Sequence, residues 1–256
     1  MTGLASARHL GLPAALGVLL VLQACTPQPP QTAATATSCP PVPADHAPVA
    51  EKPLNLDKVK KQLREYHNSN LYDADLAATL VVAGGYANGR FRNVTKPAVV
   101  LDIDETSLSN WPTFVADDFG FFPKAAACNI PSNEACGFNK WIDMAVAPAI
   151  PPTLTFFNDL KSKQVPVFFI TGRRHSQRAV TIRNLQAAGF EGWARLDTRP
   201  DDDTAPSIQA FKTGKRQEIE REGYTIIANI GDQQSDLEGG SAECTFKLPN
   251  PFYFIP

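Results

Sequence analysis

The residues best suited to chemistry are Asp102 and Asp104, which end the apolar run Ala98-Val-Val-Leu-Asp-Ile-Asp-Glu-Thr106. The run has the character of a strand buried on both faces of a parallel sheet. Strand side chains alternate, so both aspartates project to one side at its carboxyl end. Open α/β sheets bind ligands at that end of their strands. Two carboxylates so placed repel each other unless a cation or a shared proton intervenes. The arrangement is costly for structure and useful for chemistry.

Two further apolar runs end in polar residues. Val165-Pro-Val-Phe-Phe-Ile-Thr171 leads into Gly172 and Arg173, and Tyr224 to Ile230 leads into Gly231-Asp232, with Asp236 four residues on. Lys212 follows Ser207–Phe211, which reads as another extended stretch. Carboxylates, a hydroxyl and a lysine at one sheet edge suit a divalent cation and a phosphoryl group. Oxygen ligands of this kind hold Mg²⁺, and lysine and backbone N–H groups neutralise phosphate charge. Each part alone has a plainer reading. Asp102-x-Asp104-x-Thr106 could open a calcium loop, although Ser107 takes the glycine position and no glutamate closes the loop. Thr171-Gly172 could be a simple strand-to-helix turn, Asp232 a helix cap, and Lys212 a surface lysine. Their order carries the information.

That order, Asp102-Ile-Asp104-Glu-Thr106, Ile170-Thr171-Gly172-Arg173, Lys212, then Gly231-Asp232 and Asp236, resembles the four motifs of haloacid dehalogenase superfamily phosphatases. The nearer likeness is to the acid phosphatases of class B, subfamily IIIB, which include plant vegetative storage proteins and bacterial outer-membrane acid phosphatase lipoproteins. Phe138-Asn-Lys-Trp-Ile-Asp143, Asn229-Ile-Gly-Asp-Gln233 and Phe246-Lys-Leu-Pro-Asn-Pro251 resemble that branch in particular. The resemblance implies that Asp102 is a nucleophile forming an aspartyl-phosphate and Asp104 the general acid, then base. It implies phosphate binding by Thr171, Gly172 and Lys212. For Mg²⁺ it implies Asp102, the backbone carbonyl of Asp104, and Asp232, with Asp236 in support. Lys215 rivals Lys212, which is preferred because it directly follows the extended stretch. Carboxylates near Asp104 are expected to raise its proton affinity and favour turnover below neutral pH.

The elements that must position these residues alternate strand and helix, which predicts an α/β, Rossmann-like three-layer fold with a parallel central sheet. Helices are expected at Leu56–Tyr66, Asp73–Ala87, Thr153–Lys163, His175–Ala188 and Thr213–Arg221. Strands are expected at Ala98–Ile103, Val165–Thr171, Ala194–Leu196, Tyr224–Ile230 and Cys244–Leu248. Residues 107–149 are long for a strand-to-helix connection and read as an inserted cap containing a helix at Phe138–Val146. The cap carries Trp111, Phe114, Phe119, Phe121 and Phe122, either as its own small core or facing the pocket to stack a nucleobase. Arg173 and His175 are candidates to touch substrate, and Arg174 and Arg178 read as surface or packing residues.

The amino-terminal end reads as a sorting signal. Arg8 precedes an apolar stretch from Leu10 to Leu22, shorter than a membrane-spanning helix. It ends in Leu22-Gln-Ala-Cys25, which resembles a bacterial lipobox; ordinary signal cleavage beside an incidental cysteine is the alternative. Residues 1–24 are thus expected to be a lipoprotein signal, with Cys25 the lipidation site and an outer membrane facing the periplasm the destination. Residues 25–53, rich in Pro, Ala, Thr and Gln, read as a flexible tether. Residues 54–256 form the domain. Without the signal, 23 basic residues face 26 acidic ones, a formal −3, which gives no electrostatic case for nucleic acid. Cys128 and Cys136 sit in a Pro/Asn/Gly-containing loop and are expected to pair in an oxidising compartment. Cys39 and Cys244 form a second possible pair that the sequence leaves open. The expectation is a membrane-anchored, Mg²⁺-dependent acid phosphatase acting on small phosphomonoesters, with a non-catalytic storage or ligand-binding lipoprotein as the alternative.

Overall fold

The structure, a computed structural model, describes residues 39–43, 54–122 and 137–255. Five strands form one parallel sheet: β1 (Pro97–Leu101), β2 (Val167–Arg174), β3 (Arg195–Arg199), β4 (Thr225–Gly231) and β5 (Cys244–Lys247), in the order β3-β2-β1-β4-β5. Chain direction across the sheet reverses between β1 and β4, and the strands paired there are in register at Leu101 and Ile230. This is where a doubly wound sheet opens a crevice at its carboxyl edge.

Strand alternation divides the core in two. Val99, Leu101, Phe169 and Ile230 face one layer, while Ala98, Val100, Phe168 and Ile170 face the other. The first layer is covered by α2 (Leu71–Arg90) through Leu76, Leu80 and Ala83, and by α5 (Pro151–Ser162) through Phe156, Phe157 and Leu160. Pro151 and Pro152 occupy the first helical positions of α5, where a missing N–H costs nothing. Before α2 lies α1 (Leu56–Asn68), whose first turn is capped by the Asn55 side chain. The insertion supplies two short helices, α3 (Trp111–Ala116) and α4 (Phe138–Met144).

The second layer is covered by α7 (Ile208–Arg221), through Ile208, Phe211 and Ile219. The expected extended stretch at Ser207–Phe211 is therefore corrected. Ser207 is the N-cap of α7, its hydroxyl accepting the Ala210 N–H at 3.1 Å, and Lys212 lies within the helix. The helix expected from His175 begins with one 3-10 turn (His175–Gln177) and continues as α6 (Arg178–Ala187). A last short helix, α8 (Gln234–Leu237), follows β4.

A Cys39–Cys244 disulfide joins the segment read as a tether to the start of β5. Beside it, both Glu243 carboxylate oxygens accept bonds from Arg90, at 2.7 Å each. Cys25, the proposed Cys128–Cys136 pair and the leader lie outside the described residues. No helix among the described residues is long and apolar enough to cross a membrane.

Candidate active site

The sheet's switch point carries an acidic cluster. Asp102 is the first residue after β1, held in place by its N–H donating to Ile230 O at 3.0 Å. Asp232 is the first residue after β4, and α8 brings Asp236 back over both. Carboxylate oxygens of Asp102, Asp232 and Asp236 all lie within 4.8 Å of one another. Lys212 reaches in from α7, donating to Asp102 Oδ1 at 2.6 Å and Asp236 Oδ1 at 2.5 Å. Asp232 accepts bonds from Thr106 Oγ1, Asn250 Nδ2 and Gln233 Nε2 at 3.1, 2.7 and 2.6 Å. Asp236 Oδ2 accepts the Gln233 N–H at 2.9 Å. The buried Arg216 donates to the carbonyls of Asp236, Glu238 and Gly240, pinning the turn that carries Asp236. Gly231 is required beside it, because a Cβ there would overlap Asp236 Cβ and Oδ2.

Three buried carboxylates against one ammonium leave a formal excess of two negative charges. Burial pushes the Asp102 carboxyl well up despite Lys212. Burial, then Asp236, pushes Asp232 up to about 6. Burial opposes the Lys212 ammonium, but Asp102 and Asp236 outweigh it and push its pKa up. A compact, all-oxygen, over-acidic set fits a hard divalent cation.

Asp104 is set differently. Arg173 Nη2 donates to its Oδ1 at 2.7 Å and Arg173 Nε to its Oδ2 at 3.1 Å, while Asn110 Nδ2 donates to Oδ1 at 3.0 Å. Burial pushes the Asp104 carboxyl up, but Arg173 and these hydrogen bonds outweigh it and hold it below the usual range. The expected upward shift on Asp104 is therefore corrected. Its side chain faces a guanidinium, and the upward shifts fall on Asp102 and Asp232 instead.

A cavity of about 490 Å³ opens over these groups. Its floor includes Asp102, Asp104, Gly172, Arg173, Lys212 and Asp236. Its wall includes Phe114, Phe119 and Phe121 from the insertion, Phe138 from α4, and Phe252, Tyr253 and Phe254. Trp111 lies outside the lining, stacked flat on His67 with ring centroids 3.8 Å apart.

The structure places Asp102, Asp104, Gly172, Lys212 and Asp236 around one cavity, with Asp232 beside Asp102 and Asp236. Thr171 is buried, its Oγ1 accepting the Arg173 N–H at 3.1 Å. Lys215 is excluded from the cluster; it pairs with Glu218 at 3.0 Å on the side of α7. Arg174, read as a surface or packing residue, lines the cavity, and His175 is exposed beside Thr198. Sequence reasoning missed Asn110, Asn250 and residues 252–254. Only Asn250, within the Pro-Asn-Pro run, carried a signal.

A parallel sheet with acids and a lysine at its switch point and an insertion after β1 defines a haloacid dehalogenase-like α/β fold. A sequence model of the HAD superfamily, subfamily IIIB (acid phosphatase), matches residues 30–256, and the chain belongs to this family of phosphatases. The stem 28 kDa glycoprotein of Glycine max is 34% identical over 195 residues, covering 75% of this chain and 73% of that protein. Acid phosphatase 1 of Solanum lycopersicum is 36% identical over 157 residues, 61% of this chain and 58% of the tomato protein's length. Vegetative storage protein 1 of Arabidopsis thaliana is 28% identical over 211 residues, covering 79% of this chain and 74% of that protein. Among solved structures, the class C acid phosphatase from Bacillus anthracis with tungstate bound aligns with a TM-score of 0.60 at 23% identity. The alignment covers 76% of this chain and 86% of that one, and supports the fold.

Proposed function

We propose that the protein hydrolyses small phosphomonoesters through an aspartyl-phosphate at Asp102, with Mg²⁺ held by Asp102, Asp232 and the Asp104 carbonyl and Asp236 in support. The observation that carries this reading is the charge balance of the cluster: three buried carboxylates share one lysine, which bonds Asp102 and Asp236 but not Asp232, under a cavity large enough for a small ester. When bound, the cation offsets the repulsion between a carboxylate and a phosphate dianion.

In the first step an Asp102 oxygen forms a bond to phosphorus as the bond to the leaving oxygen breaks. Asp104 gives its proton to that oxygen. In the second, Asp104, now ionised, takes a proton from water as the water oxygen bonds to phosphorus and the Asp102–phosphorus bond breaks. Lys212 neutralises phosphoryl charge, and Gly172 lines the same cavity. Arg173 and Asn110 oppose protonation of Asp104, so the first step is favoured by acid.

The aromatic wall suits a planar leaving group, and a nucleoside monophosphate is the proposed substrate type. The leader, lipidated Cys25 and flexible tether complete the proposal of an exported, membrane-anchored lipoprotein. Arrest of precursor processing by globomycin supports the anchor, and unaltered maturation removes it.

Purified protein should release phosphate from 4-nitrophenyl phosphate, lose the activity with a chelator and regain it with Mg²⁺. Asp102→Asn should lower kcat by about 10³-fold or more with the fold retained. Full activity in that variant would assign the chemistry elsewhere. Inactivity of the unaltered protein with Mg²⁺ would favour the non-catalytic storage reading.

A further inference from the structure

Asn110 precedes α3, in the position where an asparagine normally turns its side chain onto the first free N–H groups of the helix. Here its carbonyl accepts from Thr113 N and Phe114 N at 3.0 and 3.1 Å, but its side chain makes no cap. The amide points the other way, into the acids. Nδ2 donates to Asp104 Oδ1 at 3.0 Å and Glu105 Oε2 at 2.7 Å, while the Asn110 N–H donates to Glu105 Oε1 at 2.6 Å. A forgone cap leaves helix N–H groups without that partner, so the local preference has been overridden by what lies beyond.

The amide has two possible orientations, and one contact decides between them. Trp141, on α4, donates its indole N–H to Asn110 Oδ1 at 2.8 Å. An indole can only donate, so Oδ1 is fixed as the acceptor and the NH₂ must face the carboxylates. The reverse orientation would place the amide oxygen against both acids and leave a buried N–H opposed to another. Asn110 is fully buried and Trp141 nearly so. Arg173 Nη2 also donates to Asp104 Oδ1 at 2.7 Å, and its Nε is shared between Oδ1 and Oδ2 at 3.2 and 3.1 Å, so Oδ1 has three donors against one on Oδ2, which retains the freer lone pairs.

We infer that Asn110 is a positioning residue that aims Asp104 Oδ2 at the leaving group, and that Trp141 holds Asn110 in the required orientation. The inserted segment thereby reaches the general acid without touching substrate. The inference rests on the assignment of Asp104 as general acid.

Leaving groups supply the test. An alkyl phosphate needs protonation of its leaving oxygen, whereas 4-nitrophenolate leaves without it. The ratio of kcat/KM for the two substrates therefore reports on the acid, and kcat/KM excludes the later hydrolysis of the phosphoenzyme. The full chain is assayed with glycerol 2-phosphate and 4-nitrophenyl phosphate. Asn110→Ala should lower kcat/KM for the alkyl ester about tenfold more than for the aryl ester. Trp141→Phe, which keeps the ring and deletes the N–H, should give a bias of about threefold in the same direction. Equal losses on both esters, or no loss, in Trp141→Phe with a native thermal transition would overturn the inference even if Asn110→Ala does not fold. Asp104→Asn is the reference. A selective loss there, without one in the other two variants, sinks only the positioning role. The absence of selectivity in Asp104→Asn removes the general acid assignment itself.

Discussion

The floor and the wall of the cavity are built on opposite principles. In the floor, Asp102, Asp236 and Lys212 are each 6% exposed or less, and both carboxylates are held by directional hydrogen bonds from the lysine. In the wall, Phe121 and Phe254 are 74% and 77% exposed and make contacts that any large apolar ring could make. Buried polar groups are costly to misplace, whereas dispersion and stacking tolerate rearrangement. The floor should therefore fix what reaction occurs, and the wall should fix which ester enters.

The floor can be disturbed without touching a polar group. Gly231→Ala adds one methyl where Asp236 Cβ and Oδ2 now lie. Asp236 must move, giving up its contacts to Lys212 and the Gln233 N–H. The expected result is a rise of about 10–100-fold in the Mg²⁺ concentration needed for half activity, measured by titrating chelated protein. An unchanged Mg²⁺ requirement would show that the position of Asp236 is immaterial to the metal.

Replacing a wall residue should have a smaller and different effect. Phe114 packs on Phe252 and Tyr253 at centroid distances of 5.9 and 5.6 Å. Aromatic pairing adds about 0.5–1.5 kcal/mol beyond burial. Phe114→Ala should raise KM for nucleoside monophosphates about 3–10-fold, with little change for glycerol 2-phosphate. A parallel change in KM for both esters would remove substrate recognition from the wall.

The same division governs what the sequence disclosed. The floor sits at the ends of β1, β2 and β4, whose apolar runs and abrupt polar ends are local signals, and these strands were legible to within a few residues. The wall joins Phe114 to Phe252–Phe254, distant in sequence, and no local pattern announces that meeting. Asp104 and Arg173 are 69 residues apart, so the sign of the Asp104 shift was equally hidden. α7 was misread at its start because Lys212 and Arg216 occupy its buried face with Ile208, Phe211 and Ile219. Cations on that face obscured a helical spacing that the Ser207 cap would otherwise have disclosed. α3, with six residues, is too short to show a period.

The smallest expected effect lies behind the wall, at His67. Its ring stacks on Trp111 and, at 5.8 Å, on Tyr72, so partial burial disfavours the imidazolium and lowers its pKa; Asn68 and Asp73 oppose the shift without reversing it. A histidine whose folded pKa is depressed binds fewer protons folded than unfolded. Its contribution to stability is therefore complete above the ordinary value near 6.5, declines as pH falls below it, and levels off beneath the folded value. Replacing His67 with phenylalanine keeps a stacked ring and removes the titration. Between pH 8 and pH 5 the melting temperature of the unaltered protein should fall about 1–2 °C more than that of His67→Phe. Identical acid-induced shifts in the two proteins would mean that the His67–Trp111 stack tolerates the imidazolium, and that the wall is as open to water at its back as at its mouth.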